Sequence, residues 1–213
     1  MAQKQKILRL SKLYDDLARD SFDHFILFAD LCGSTLYKQR LIQQKMPNNV
    51  WLHRQLIFLS MVASHFEAKN GTIVKTIGDS VMISFHYSES AEDILFACVD
   101  LTIKLDQLQA FKGKHKMAVK ISIDYGDTVN GAIVGNAYDP LGICVDRCAR
   151  LNAEAEARQI VFSDSFNSLL KAKKKQSKQK MIMSIHNSIE AVKTKKKNIK
   201  GVGRITFHTV KVK

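Results

Sequence analysis

Apolar and polar positions along the chain fall into runs and periods that predict a sheet flanked by helices. His24 to Leu31, HFILFADL, is a nearly unbroken apolar run ending on an acid, the pattern of a buried central strand that delivers Asp30 at its C-terminal end. Gly33, Ser34 and Thr35 then open a helix, with Ser34 as its cap and the free amides of the first turn suited to an anion such as phosphate. Pro47, Asn48 and Asn49 break the chain before a long helix from about Val50 to Ala68, which Asn70 and Gly71 close. In GTIVKTIGDSVMISF, Gly71 to Phe85, the apolar residues Ile73, Ile77, Val81 and Ile83 sit at strand spacing on either side of Gly78-Asp79, a hairpin signal.

Further along, Ser90 to Leu108 reads as a helix, with Ser90 and Asp93 in capping-box spacing and Ile94, Ala97, Cys98, Leu101 and Leu105 on one face. Ala118 to Tyr125 and Val129 to Val134 form a second strand pair around Gly126-Asp127. Tyr138 to Asn152 reads as a loop followed by a helix, with Pro140 near the helix start and Asp146 and Arg150 one turn apart on one face. Gln159 to Phe162 is a short strand, Ser163 to Leu170 a helix, and Arg204 to Val212 a last strand behind Gly201 and Gly203. Ahead of all this, Ile7, Leu10, Leu13, Tyr14 and Leu17 give residues 1–21 an amphipathic helix. The order of elements predicts an α+β sheet with helices on one face, not a regular doubly wound fold.

Composition changes this picture in one place. The 213 residues carry a net charge of +13, but residues 171–213 hold 14 Lys or Arg against the single acid Glu190, while residues 1–170 hold 19 basic and 19 acidic residues. The charge therefore belongs to a basic insertion at about 171–198 and the strand after it. Runs such as KAKKKQSKQK and KTKKK predict a solvated loop or helix face. They lack interleaved aromatics, so a nucleic-acid partner is not expected. Cys32, Cys98, Cys144 and Cys148 have neither zinc-ribbon nor disulfide-framework spacing and read as buried thiols of a reducing cytoplasm. No signal peptide and no transmembrane segment is expected, the longest apolar run, around Leu56 to Ala63, being too short to span a bilayer.

The candidate chemistry lies at the strand ends. Asp30 and Asp79 offer hard oxygen ligands for Mg²⁺ or Mn²⁺. Lys75, four residues before Asp79, adds a donor-only ammonium, and Arg150 a fork for phosphate oxygens. Such a set suits phosphoryl or nucleotidyl transfer with two ions per site, although most Gly-Asp hairpins only turn the chain, and Asp146 and Arg150 also suit an ordinary intrahelical ion pair.

Five segments, FILFADLCGST, GTIVKTIGDSVMISF, ISIDYGDTVNGAIVG, YDPLGICVDRCARL and NIKGVGRITFHTV, together resemble the catalytic domain of class III nucleotidyl cyclases over roughly residues 22–212. The resemblance implies the ferredoxin-like class III cyclase fold, a mixed, mostly antiparallel sheet with helices packed on it. It implies metal binding by Asp30, Asp79 and the backbone of Leu31. Lys75 and Asp139 match the pair that reads the adenine edge in adenylate cyclases, Arg150 the transition-state arginine, and Lys200 a phosphate-contacting lysine. The family works as a head-to-tail homodimer with two shared sites and makes a 3′,5′-cyclic monophosphate and pyrophosphate from a nucleoside triphosphate.

Two departures bear on substrate. The family's transition-state asparagine is Asp146 here, an acceptor that donates no amide N–H when ionised. The family usually has Phe where this chain has Ser34, and the bulkier Tyr37 follows one turn on. Pointing into the pocket, Tyr37 would shrink it to pyrimidine size; packing against the sheet is the alternative. With no attached sensor and a VDRCAR segment, the chain resembles the pyrimidine cyclases of bacterial anti-phage systems, whose cyclic UMP or cyclic CMP activates a separate effector. The Lys75 and Asp139 pair points instead to cAMP, and Asp146 keeps open a catalytically inactive nucleotide-binding module. GDTVN, Gly126 to Asn130, mimics the family's catalytic string but falls in the strand pair and is expected to be structural.

Overall fold

The computed structural model describes residues 21–110, 115–130, 138–173 and 187–213. The amphipathic helix expected before Asp20, the residues Gly131 to Val134 and most of the basic run before Ile189 lie outside the described residues.

Strand β1, Ser21–Leu31, is followed by helices α1, Ser34–Gln43, and α2, Asn48–Glu67, then by the hairpin β2, Thr72–Ile77, and β3, Ser80–His86. Helix α3, Ala91–Gln107, the short strands β4, Gln109–Ala110, and β5, His115–Lys116, and the long β6, Val119–Asn130, come next. The chain ends with β7, Pro140–Leu141; α4, Ile143–Ala153; β8, Gln159–Ser163; α5, Asp164–Lys173; β9, Lys193–Ile199; and β10, Gly203–Lys211. The main sheet of eight strands runs β2-β3-β1-β6-β8-β10-β9, with β7 beside β6. Of these pairings only β6 with β8 is parallel.

The apolar run of β1 needs two covers, and it has them. Phe25, Leu27, Ala29 and Leu31 face a core built with Phe58, Val62 and Phe66 of α2, Ile94 and Leu101 of α3 and Phe166 of α5. Ile26 and Phe28 face the other way, onto Cys144 and Cys148 of α4. The expectation of helices on one face is thus corrected: α4 packs on the opposite face from α2, α3 and α5. Its apolar spacing said only that one face was buried, not against which side of the sheet.

Three local readings also change. Gly126 and Asp127 do not turn the chain; they pair with His24 and Asp23 inside one continuous β6. Pro140 is not in the helix but in β7, where it pairs with Asn130, and the helix starts after Gly142. A side chain on Gly142 would put its Cβ 2.6 Å from the Asp127 carbonyl oxygen, so glycine lets α4 start tight against β6. The KTKKK run, read as loop or helix face, is the edge strand β9, paired with β10 from Ile199 to Lys193. Pairing supplies the backbone bonds that its composition does not favour, and lysines on an open edge discourage further strands from adding.

Candidate active site

Strand period places the polar residues. Counting from Ile26 and Phe28, Asp30 lies on the α4 face of β1, and the register puts Ser80, Lys120 and Asp124 beside Asp30, Asp30 and Ile26. Beyond β1, Gly33 takes a left-handed φ of 71° and starts α1 without a side-chain cap. Ser34 is therefore not the expected N-cap. Its buried hydroxyl donates to the Asp79 carboxylate at the tip of the β2–β3 hairpin. That tip is a two-residue loop between Ile77 and Ser80, made by Gly78 at φ 63°, and the Leu31 amide donates to the Asp79 carbonyl at 3.2 Å.

These groups wall one open cavity of about 440 Å³, lined by Asp30, Leu31, Ser34, Thr35, Asp79 and Lys120 among others. Lys120 pairs with Asp30 at 3.2 Å. Burial raises the Asp30 pKa above its ordinary value, Lys120 opposes the shift, and the nearby Asp79 carboxylate adds to it. Cys32, also in the wall, has its thiol pushed up to about 11, mainly by burial, and stays protonated. The donors on offer are thus hard oxygens: two carboxylates close enough to repel, beside the Leu31 backbone. Among the described residues no cluster of three or more His, Cys, Asp or Glu forms a closed cage. A pair of carboxylates open to substrate oxygens is the set that Mg²⁺ or Mn²⁺ takes in phosphate-handling sites, so these residues fit the ions.

The other candidate residues lie elsewhere on the chain, Lys75 with Asp139 in one place and Arg150 in another. The Lys75 ammonium donates to both oxygens of Asp139, at 2.7 and 2.8 Å, on a half-exposed surface. Asp146 and Arg150 are exposed on α4 and, among the described residues, do not pair with each other, so the ordinary ion-pair reading fails. Arg150 lies against the β9–β10 turn: a Cβ on Gly201, at φ 79°, would stand 2.9 Å from its guanidinium. Lys200 is the preceding residue of that turn. None of Lys75, Asp139, Asp146, Arg150 and Lys200 lines the cavity of Asp30 and Asp79.

What aims α4 escaped the sequence reading. Arg147 forks onto the fully buried Asp124 at 2.5 and 2.8 Å, and that hydrogen-bonded carboxylate raises the arginine pKa. Cys144 and Cys148 donate to the carbonyls of Asp127 and Ile26, and Asn152 to that of Phe28. GDTVN is structural, as expected: it underlies the start of α4. The signal for Lys120 and Asp124 was present as the alternation of Lys120, Ser122 and Asp124 with Val119, Ile121 and Ile123. It reads as a solvated strand face until α4 is laid over it. Tyr37 meets neither expectation cleanly, since its ring lies under the guanidinium of Arg54 of α2, 4.8 Å from ring centre, and not among the cavity-lining residues.

Residues 19–211 match the sequence profile of the adenylate and guanylate cyclase catalytic domain. Comparison with curated proteins gives no significant match. Among solved structures, the guanylyl cyclase Cya2 superposes with a TM-score of 0.69 at 19% identity, covering 91% of this chain and 94% of its own. The guanylate cyclase domain of RhGC from Catenaria anguillulae, in complex with GTP, gives 0.66 at 16% identity over 91% and 98%. The adenylyl cyclase CyaB from P. aeruginosa gives 0.64 at 19% over 89% and 94%. These likenesses carry the fold, and the profile match carries the membership: the chain belongs to the adenylate and guanylate cyclase catalytic-domain family.

Proposed function

We propose that this cyclase works as a head-to-tail homodimer that converts a nucleoside triphosphate, UTP or CTP by preference, to its 3′,5′-cyclic monophosphate and pyrophosphate. The observation that carries the shared site is the separation within one chain. The Asp30 and Asp79 cavity contains none of Lys75, Asp139, Asp146, Arg150 and Lys200, so each group needs a second copy to supply the other.

In the reaction the ribose 3′-oxygen forms a bond to the α-phosphorus as its proton leaves, and the bond from that phosphorus to the bridging oxygen of pyrophosphate breaks. Asp30, Asp79 and the Leu31 carbonyl would hold Mg²⁺ or Mn²⁺, which supplies the charge that acidifies the 3′-hydroxyl and neutralises the triphosphate. Ser34 keeps one Asp79 oxygen in place through its hydroxyl, and Thr35 stands beside it in the wall. Lys120 holds Asp30 and presents an ammonium to incoming phosphate oxygens. From the partner copy, Lys75 and Asp139 face the base, Arg150 and Lys200 face the negative charge that builds on phosphate, and Asp146 accepts a hydrogen bond.

The pyrimidine preference is drawn from the resemblance, from Ser34 in the cavity wall where the family usually has Phe, and from Tyr37 one turn on, which stacks on Arg54 behind that wall. The product then serves as an anti-phage second messenger read by a separate effector, as in the cyclases the VDRCAR segment resembles. The Lys75–Asp139 pair favours cAMP as the second reading, because an ammonium beside a carboxylate matches the adenine edge. Incubation with each of ATP, GTP, CTP and UTP plus Mn²⁺, with the cyclic product identified, separates the two. Cyclic UMP or cyclic CMP as main product is expected, with a shift toward purines in Tyr37→Ala; cAMP alone, or a base preference unmoved in Tyr37→Ala, contradicts the pyrimidine reading.

A further inference from the structure

Four buried side-chain polar atoms among the described residues have no hydrogen-bond partner, and two of them are neighbours on α2: Arg54 Nε and Gln55 Oε1. Both flank the catalytic hairpin. The Gln55 amide donates to the Gly78 carbonyl at 2.7 Å, and Arg54 lies within electrostatic reach of Asp79 and Cys32, which line the cavity. Arg54 is only 7% exposed, yet among the described residues no carboxylate forms an ion pair with it. Among the described residues its guanidinium stacks on the ring of Tyr37. A stack on a ring offsets little of what burying a guanidinium costs, and a buried donor left unmade costs more still. Such a group calls for an acceptor that arrives with a ligand.

We propose that Arg54, seated behind Tyr37, is a specificity residue that donates to a carbonyl oxygen of the substrate's base, with the free Oε1 of Gln55 available to a base N–H. Uracil and cytosine carry such an oxygen and adenine carries none. This rests on the pyrimidine reading and adds to it a residue that recognises the base by attraction. Tyr37 alone would act only by excluding larger bases. Arg54 lies behind the cavity wall, beside Cys32 and Asp79, so Tyr37 must shift for the contact to form; phosphate oxygens are the other acceptors a substrate brings, and a base-free probe tells the two apart.

The experiment compares the parent enzyme with Arg54→Met in steady-state turnover of UTP and CTP and in inhibition by inorganic tripolyphosphate. Arg54→Met should hold or raise the thermal midpoint, since an unpaired buried cation is removed. It should lower kcat/KM for the pyrimidine triphosphates by about tenfold to a hundredfold while inhibition by tripolyphosphate stays as in the parent. Should Arg54→Met not fold, Arg54→Lys, which keeps the charge and loses the Nε donor, carries the same kinetic expectation without the thermal one. Equal weakening of tripolyphosphate inhibition overturns the proposal in favour of a phosphate contact, and unchanged kcat/KM overturns it outright. A parent enzyme that cyclises ATP alone removes the pyrimidine reading and the proposal together. A parent active on UTP or CTP beside an indifferent Arg54→Met removes the proposal only.

Discussion

Asp30 shows how a partly buried acid is held at a cost. Burial raises its pKa, so the folded chain keeps this proton at a pH where the unfolded chain, with an ordinary value near 3.8, has released it. The resulting contribution to stability is present below the unfolded value and is lost as pH rises through the raised folded value. At neutral pH the ionised carboxylate, faced by Asp79, is a standing penalty that Lys120 only partly relieves. Asp30→Asn in the metal-free protein should therefore unfold at the same temperature or up to about 4 °C higher at pH 7, while cyclase activity is lost. A drop of several degrees in differential scanning calorimetry would show the acid to be structural instead. Asp30 was legible because it ends an apolar run; Ser34 was legible as a helix start but not as a partner of Asp79. That bond joins residues 45 apart in sequence, and no local pattern encodes it.

At the scale of elements, sequence pattern succeeded where one face of an element meets one kind of neighbour. Helix α3 begins after Ser90, whose side chain accepts from the Asp93 amide, and buries the expected stripe. The hairpin forms where Gly78-Asp79 placed it. Failures arose where pairing overrode composition. Gly126-Asp127 carries a turn signature but is spanned by β1, and KTKKK carries a loop signature but is zipped to β10. That edge makes a prediction of its own. Lys193 and Lys195 are exposed on β9, and among the described residues no further strand pairs beyond it. Replacing both with valine should leave the fold and the parent's thermal midpoint nearly unchanged but produce concentration-dependent association in analytical ultracentrifugation. Sedimentation identical to the parent up to high concentration would mean that the lysines do not guard the edge.

The whole molecule is a sheet with two unlike faces. One face carries the main hydrophobic core against α2, α3 and α5; the other carries Asp30, Lys120 and Asp124 under and beside α4. No helix among the described residues is long and apolar enough to cross a membrane. The positions of Asp30 and Asp79 were legible from sequence because one lies near the end of an apolar run and the other at a Gly-Asp turn. The distance of their cavity from the Lys75–Asp139 pair and from Arg150 was not, since spacing along the chain gives no distance across the sheet. In the proposed homodimer, Asp79 of one copy meets Arg150 of the other. Asp79→Asn and Arg150→Ala, each inactive alone, can be co-expressed with different tags and the doubly tagged dimers quantified. With random pairing, half the dimers are mixed and each mixed dimer has one intact site, so activity should return to roughly a quarter of the parent rate. A preparation as inactive as its parts, with mixed dimers demonstrably present, would contradict the shared site.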